Sequence, residues 1–312
     1  MLDTKPSQNI FARIFSKKSQ KGIEKKLTFG NQILVQLFLL FVAFMVLFPI
    51  LWIFSMSIDQ RNISRPTELT LIPPGASFQA YRSVIEKPTA NPVSFWELAF
   101  NSFRLALGTS LFSVLIGVMA AYSFARFRFR GRQVLMIMVL TVLMLPSIAT
   151  LPSLFVLLNR VVVGGFNLRN SLLGVGFAMI SGMLPFAIWN LKGYLDTIPR
   201  ELEEAALIDG CNANQAFIRI ILPLAIPVLA VTAFLGFMSG WTEFAISWQF
   251  LTDPKNFTLT MALFNMIGQY AAGTPWSQFA AYSILVALPV SVVYLFLQKY
   301  MVSGLTIGGV KG

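Results

Sequence analysis

From Leu27 to Ile58 the chain carries no Asp, Glu, Lys or Arg. A helix needs about 20 predominantly apolar residues to cross roughly 30 Å of hydrocarbon, so this interval is long enough to span a membrane. Uncharged intervals recur between Arg104 and Arg126, between Arg132 and Arg160, and between Arg169 and Lys192. A fifth apolar run starts after Arg219 and continues past Glu243 to about Phe250, and a sixth ends at Lys299. Only 12% of the residues are charged, against roughly a quarter in ordinary globular domains. An all-α membrane protein with six transmembrane helices follows. The expected spans are 33–57, 105–125, 134–159, 170–191, 220–250 and 279–298. Around them lie a basic N-terminal segment 1–32, an outer loop 58–99, a core 97–300 and a C-terminal tail 299–312. The first apolar run follows some thirty polar residues and shows no clear cleavage site, so it reads as a retained span rather than a signal peptide.

Lys and Arg set the orientation. With both termini inside, segments 1–32, 126–132, 192–219 and 299–312 carry sixteen Lys/Arg, and the outer segments 59–104, 160–169 and 251–278 carry eight. The sharpest inside marker is RFRFRGR, with Arg126, Arg128, Arg130 and Arg132 and no acid. These charges flank spans and no soluble domain presents them. Anchoring to anionic headgroups is therefore favoured over nucleic-acid binding.

Several chemistries are missing. There is no histidine and a single cysteine, Cys211. No GxxxxGK[ST] loop for nucleotide phosphates occurs. No catalytic, cofactor-binding or metal-ligating residue is expected, and the chain reads as a non-enzyme. Any ATP hydrolysis would belong to another chain.

One inner segment departs from the basic pattern. In ELEEAALIDGCNANQAFIRIILP (201–223), four of the thirteen acids, Glu201, Glu203, Glu204 and Asp209, fall within nine positions. Thr197 is a plausible N-cap and Pro199 suits a first turn. The glutamates lie where the helix dipole favours negative charge, and Gly210 can take the left-handed conformation that ends a helix. A second amphipathic stretch follows, with Ala213, Ala216, Phe217 and Ile220 at helical spacing, and Pro223 falls near the next span. The expectation over 197–223 is helix, turn, helix on the inner face. Composition does not separate a coupling knob from an ordinary interfacial loop.

The spacing does. Glu204-Ala205-Ala206, then Gly210, then Ile220-x-Leu222-Pro223 keeps the full EAA-x3-G-x9-I-x-LP pattern. It resembles the cytoplasmic signature of the inner-membrane permeases of binding-protein-dependent ABC importers. Asp209 fits the extended form of that pattern, and Cys211 replaces an alanine often found after the glycine. Phe124-Ala125-Arg126-Phe127-Arg128-Phe129, Leu191-Lys192-Gly193-Tyr194 and the tail Gly304 to Gly312 are similar to the carbohydrate branch, of the maltose/maltodextrin type. The resemblance implies an ABC type I importer permease fold with cytoplasmic termini, in a bacterial cytoplasmic (inner) membrane. It implies a second permease subunit, two ATPase subunits holding ATP and Mg, and an extracytoplasmic sugar-binding protein. Glu204, Ala205, Ala206, Asp209, Gly210, Ile220, Leu222 and Pro223 would dock on the ATPase. Gly304, Gly308 and Gly309 would let an extended tail reach the same partner. The outer stretch 251–278, with Gly268 and Gly273, would meet the binding protein.

Glu243 is the one acid inside an apolar region, which makes it and Trp241 pore or gating candidates. A structural role stands beside that reading. Trp241, Trp248 and Trp276 could stack on sugar, but interface belts use the same residue. Another oligosaccharide or sugar derivative as cargo is an alternative. An ion-coupled carrier relying on Glu243 is a second, weakened by the lack of histidine or another buried acid.

Overall fold

A computed structural model describes residues 28–61, 70–267 and 273–308, without the side chains of 147, 163 and 302–308. The chain divides into two units, Met1–Trp52 and Ile53–Gly312. The first helix, α1 (Phe29–Ser57), is apolar around its whole circumference and contains Pro49. A helix with no polar stripe suits lipid rather than a half-solvated surface.

The segment after α1 is partly folded. It contains α2 (Gln79–Glu86), and the Ser57 and Tyr81 hydroxyls lie 2.7 Å apart. Helix α3 (Phe95–Arg126) begins well before the expected 105. Ser94 and Glu97 form a reciprocal capping box at its start, which satisfies donors the first turn would otherwise leave open. The charges that bounded the apolar interval therefore lie inside the helix.

The expected single span 134–159 is two helices, α4 (Arg132–Leu143) and α5 (Ser147–Asn159). The break falls at Pro146, which cannot donate a backbone hydrogen bond. A hairpin of two-residue strands, β1 (Val162–Val163) and β2 (Phe166–Asn167), turns at Gly164-Gly165. It is a small addition to the all-α expectation. Helix α6 (Leu172–Leu195) starts where the Ser171 hydroxyl accepts the Gly174 amide at 3.1 Å.

The expected span 220–250 is also corrected. Helices Ala213–Leu224 (α8, preceded by α7, Glu201–Ile208) and Ile226–Trp241 (α9) meet at a 74° bend. The chain breaks again before α10 (Ala245–Phe250). A 3-10 turn (Pro254–Asn256) and α11 (Leu259–Asn265) precede α12 (Trp276–Gly308). Among the described residues, four helices are long and apolar enough to cross a membrane, and six spans result if each bent pair counts as one.

Lipid tails are as apolar as leucine, so close packing rather than the hydrophobic effect holds such helices together. The α3–α9 crossing shows how. A Cβ on Gly240 would sit 2.7 Å from Ala106 Cα, and one on Gly236 would sit 2.9 Å from Ser110 Cα. The two glycines let the backbones touch, and Ser110 Oγ donates to Ala233 O at 2.7 Å. Gly117 of α3 instead faces side chains of α6: a Cβ there would sit 3.1 Å from Ala187 Cβ and 3.2 Å from the Leu191 side chain. One buried cluster runs through Leu105, Phe237, Trp241 and Tyr282. A second joins Ala121, Ala125, Leu191, Leu195, Ile198 and Ile221. The second cluster is the platform for the acidic segment.

Candidate functional site

The acidic segment begins where α6 ends. Thr197 is not the N-cap of α7: its hydroxyl donates back to Tyr194 O at 2.7 Å. Arg200 occupies the cap position with no capping side chain. Glu201, Glu203 and Glu204 fill the first turn, so the positive end of the helix is met by carboxylates instead of a cap.

Gly210 closes α7 as its sequence position suggests, with φ +88°. The Gly210 amide donates to Leu207 O at 3.1 Å and the Cys211 amide to Ala206 O at 2.9 Å. That pair of bonds is the Schellman ending, which requires the left-handed residue at this position. Asn212 and Gln215 then cap α8 reciprocally, at 2.8 and 2.9 Å. A π-turn at Phe217–Ile221 lies inside α8. Ala225 lies between Pro223 and Pro227 at the bend into α9.

The two faces of α7 differ. Ala206 is buried, while Glu204, Ala205, Leu207, Ile208, Asp209 and Gly210 are exposed. Ile208 is 86% exposed, far more than an isoleucine gains from by itself. On α8, Ile221 is fully buried in the second cluster, Ile220 and Leu222 are half-buried, and Pro223 is exposed.

Glu203 was missed as a site residue. It turns inward, and its side chain is 14% exposed. Its Oε1 accepts the Arg126 Nε hydrogen bond, and Oε2 accepts the Tyr122 hydroxyl at 3.0 Å. Arg126 Nη2 also donates to Ile198 O, and Arg200 Nη2 donates to Ala125 O, both at 3.0 Å. The Arg126 side chain is 7% exposed, so it does not serve as a headgroup anchor. Arg128 and Arg130 are exposed. The partners lie 77 residues apart, and nothing in local spacing links them. The only sequence signal was an arginine closing an apolar helix beside an excess of acids.

Trp241 and Glu243 lie at the other end of α9. Trp241 is 3% exposed, and its indole donates to Val286 O at 2.9 Å. Its ring stacks on Phe237 at 5.7 Å. Glu243 is 7% exposed. Its carboxylate accepts the Ile246 amide at 2.6 Å, the Ser247 amide at 3.0 Å, and the Ser247 hydroxyl. It caps the first turn of α10. The stretch that follows is pinned to α3. Asn101 Nδ2 donates to Lys255 O at 2.7 Å and to Phe257 O at 3.0 Å, and Ser102 Oγ accepts the Leu259 amide at 2.8 Å.

Gly304 and Gly308 lie within α12, so the expected extended tail is helical as far as Gly308. Gly309 and Gly268 lie outside the described residues. Among the described residues no group of three or more His, Cys, Asp or Glu could hold a metal ion.

Residues 113–306 match the family described as binding-protein-dependent transport system inner membrane component. The chain is 35% identical over 276 residues to the galactooligosaccharides transport system permease protein GanQ of Bacillus subtilis (strain 168), covering 88% of this chain and 94% of that one. It is 35% identical over 286 residues to the maltose/maltodextrin transport system permease protein MalG of Photorhabdus laumondii, covering 87% and 93%. The MalG of Escherichia coli (strain K12) is 33% identical over 290 residues, covering 88% and 94%. Among solved structures, the chain resembles one of a bacterial ABC transporter involved in the import of the acidic polysaccharide alginate. The TM-score is 0.64 at 25% identity, covering 95% of this chain and 99% of that one.

Proposed function

Because the chain belongs to the family of binding-protein-dependent transport system inner membrane components, we propose that it forms half of the translocation path of an ATP-driven oligosaccharide importer. It is a multi-pass membrane permease and a transport subunit, not the hydrolase. Its α7–α8 segment docks on a separate ATPase. A second permease subunit, two ATPase subunits with ATP and Mg, and an extracytoplasmic sugar-binding protein complete the complex. Both termini face the cytoplasm.

The observation that carries this reading is the exposed side of α7. Glu204, Ala205, Leu207 and Ile208 form a free, partly apolar face, held at a fixed angle by the turn at Gly210. A water-exposed apolar face marks an interaction surface. Small alanine lets a partner approach closely, and Glu204 offers it a charge. Movement of the ATPase reaches the spans only if the two conformations differ in interface free energy. A maltodextrin and a galactooligosaccharide are both cargo candidates, since relatives named for each are 35% identical.

A cavity of about 560 Å³ opens between α3 and α6, lined by Leu105, Thr109, Phe112, Leu173 and Phe177 among others. Its walls are almost wholly apolar, whereas a sugar site needs several convergent polar groups. This favours a chain that lines the path over one that holds sugar tightly.

The test is reconstitution of the chain with its partner permease, ATPase and binding protein in liposomes. Uptake of labelled maltotriose and of galactotriose is measured with and without ATP on the ATPase side. ATP-dependent uptake of either supports the importer, and the preferred sugar names the cargo class. Uptake that follows a proton gradient and ignores ATP would overturn it in favour of the carrier.

A further inference from the structure

Chain connectivity alone lets the α7–α8 segment pull on α6 and α9. The structure adds a third attachment, to the end of α3. Arg126, the last residue of α3, reaches Glu203 and the Ile198 carbonyl. Arg200 reaches back to the Ala125 carbonyl, and Tyr122, one turn earlier, holds the second oxygen of Glu203. The two arginines therefore cross: each end of the joint donates to the backbone or side chain of the other.

A buried ion pair is a poor choice if stability is all that is needed, because apolar residues of similar size often do as well or better. What it provides is direction. A planar guanidinium engaged at two acceptors resists sliding and rotation, which an apolar contact tolerates. Below the joint, Ala121, Ala125, Leu195, Ile198 and Ile221 form a single buried cluster, so there is no slack beneath it. From α3 the load continues into α9 through the Gly236 and Gly240 crossing.

We propose that Tyr122, Arg126, Arg200 and Glu203 are positioning residues that lock α7 to the end of α3, so that displacement of the docking segment is delivered to α3 as well as to its sequence neighbours. The coupling role rests on the proposed function; the lock itself does not. Breaking it leaves the docking face of Glu204 and Ile208 intact and loosens what that face moves.

The test uses the full-length chain purified with its co-expressed partner subunits. In a Cys211→Ser background, Met119→Cys on α3 and Leu202→Cys on α7, away from the docking face, carry spin labels; both native side chains are exposed. The wild-type background should give one narrow distance distribution. Glu203→Gln and Tyr122→Phe should broaden it, and the exchange Arg126→Glu with Glu203→Arg should narrow it again relative to either single change. In unlabelled complexes, Glu203→Gln should keep ATP hydrolysis and lower sugar taken up per ATP by about fivefold or more, within the usual range of coupling effects. The exchange should recover part of that loss. A Glu203→Gln complex with wild-type distance width would overturn the lock. Wild-type uptake per ATP together with a broadened distribution would overturn its coupling role. If Arg126→Glu alone prevents assembly, Glu203→Gln and Tyr122→Phe decide. If the wild-type complex shows no ATP-dependent uptake, the importer reading and the coupling role fail together, and the distance width still decides the lock.

Discussion

Glu203 and Glu243 are both largely buried carboxylates in an apolar chain, and they are satisfied in opposite ways. Glu243 takes its donors from the next turn of its own chain, at Ile246 and Ser247. Glu203 takes them from Arg126 and Tyr122 on a different helix. A carboxylate answered locally shapes one turn. A carboxylate answered by a distant cation ties two helices together, and the tie can transmit force. Burial alone does not tell these apart, because the identity of the donor decides.

The sharpest way to break the comparison is to remove a donor. Arg126→Ala strands Glu203 without its cation, and stranding one member of a buried pair costs about 3–5 kcal/mol. Denaturation of the purified complex should show a loss of that order, or the complex should fail to assemble. Next comes Tyr122→Phe, which removes one hydrogen bond to a charged group, about 1.5–3 kcal/mol. Thermal unfolding should shift by that order, and the distance between α3 and α7 loses its definition. Glu243→Gln keeps one side-chain acceptor but turns the other toward its donors as an amide, and an unpaired buried donor costs about 1–3 kcal/mol. Uptake per ATP should stay at the wild-type level; its abolition would restore Glu243 as a gate and dissolve the contrast. The smallest effect is Gly210→Ala, which forces a Cβ into the left-handed region at φ +88° at a cost of roughly 1–2 kcal/mol. Modest destabilisation should accompany weaker ATP-dependent uptake, measured in the same liposomes.

The apolar intervals located the membrane helices because charge is excluded from lipid. They did not locate the breaks. Pro49, Pro152, Pro185 and Pro289 lie inside continuous helices, whereas Pro146 and the Pro223–Pro227 pair accompany a break and a bend. Membrane helices tolerate proline when neighbours satisfy the freed carbonyl, so the residue does not announce its effect. The start of α3 was misplaced for a related reason. Arg104 bounds the apolar interval but not the helix, which extends past it and past Glu97 to the Ser94 cap.

Over 197–223, the helix, turn and helix were legible from the early glutamates, Gly210 and the proline. The inward turn of Glu203 was not. Glu203 and Glu204 are neighbours of one type, and only the packing of α7 on α3 sends one inside and the other out. Likewise, RFRFRGR reads as four equivalent inside markers, yet Arg126 closes a buried joint while Arg128 and Arg130 remain exposed.

The central claim is that the exposed face of α7 is the surface on which the ATPase docks. A photo-reactive amino acid at position 208, where Ile208 is 86% exposed, tests it directly in the assembled complex. Irradiation should give a covalent product with the ATPase subunit, changing in yield when ATP is bound. No product with the ATPase, in a complex whose sugar uptake still requires ATP, would contradict it.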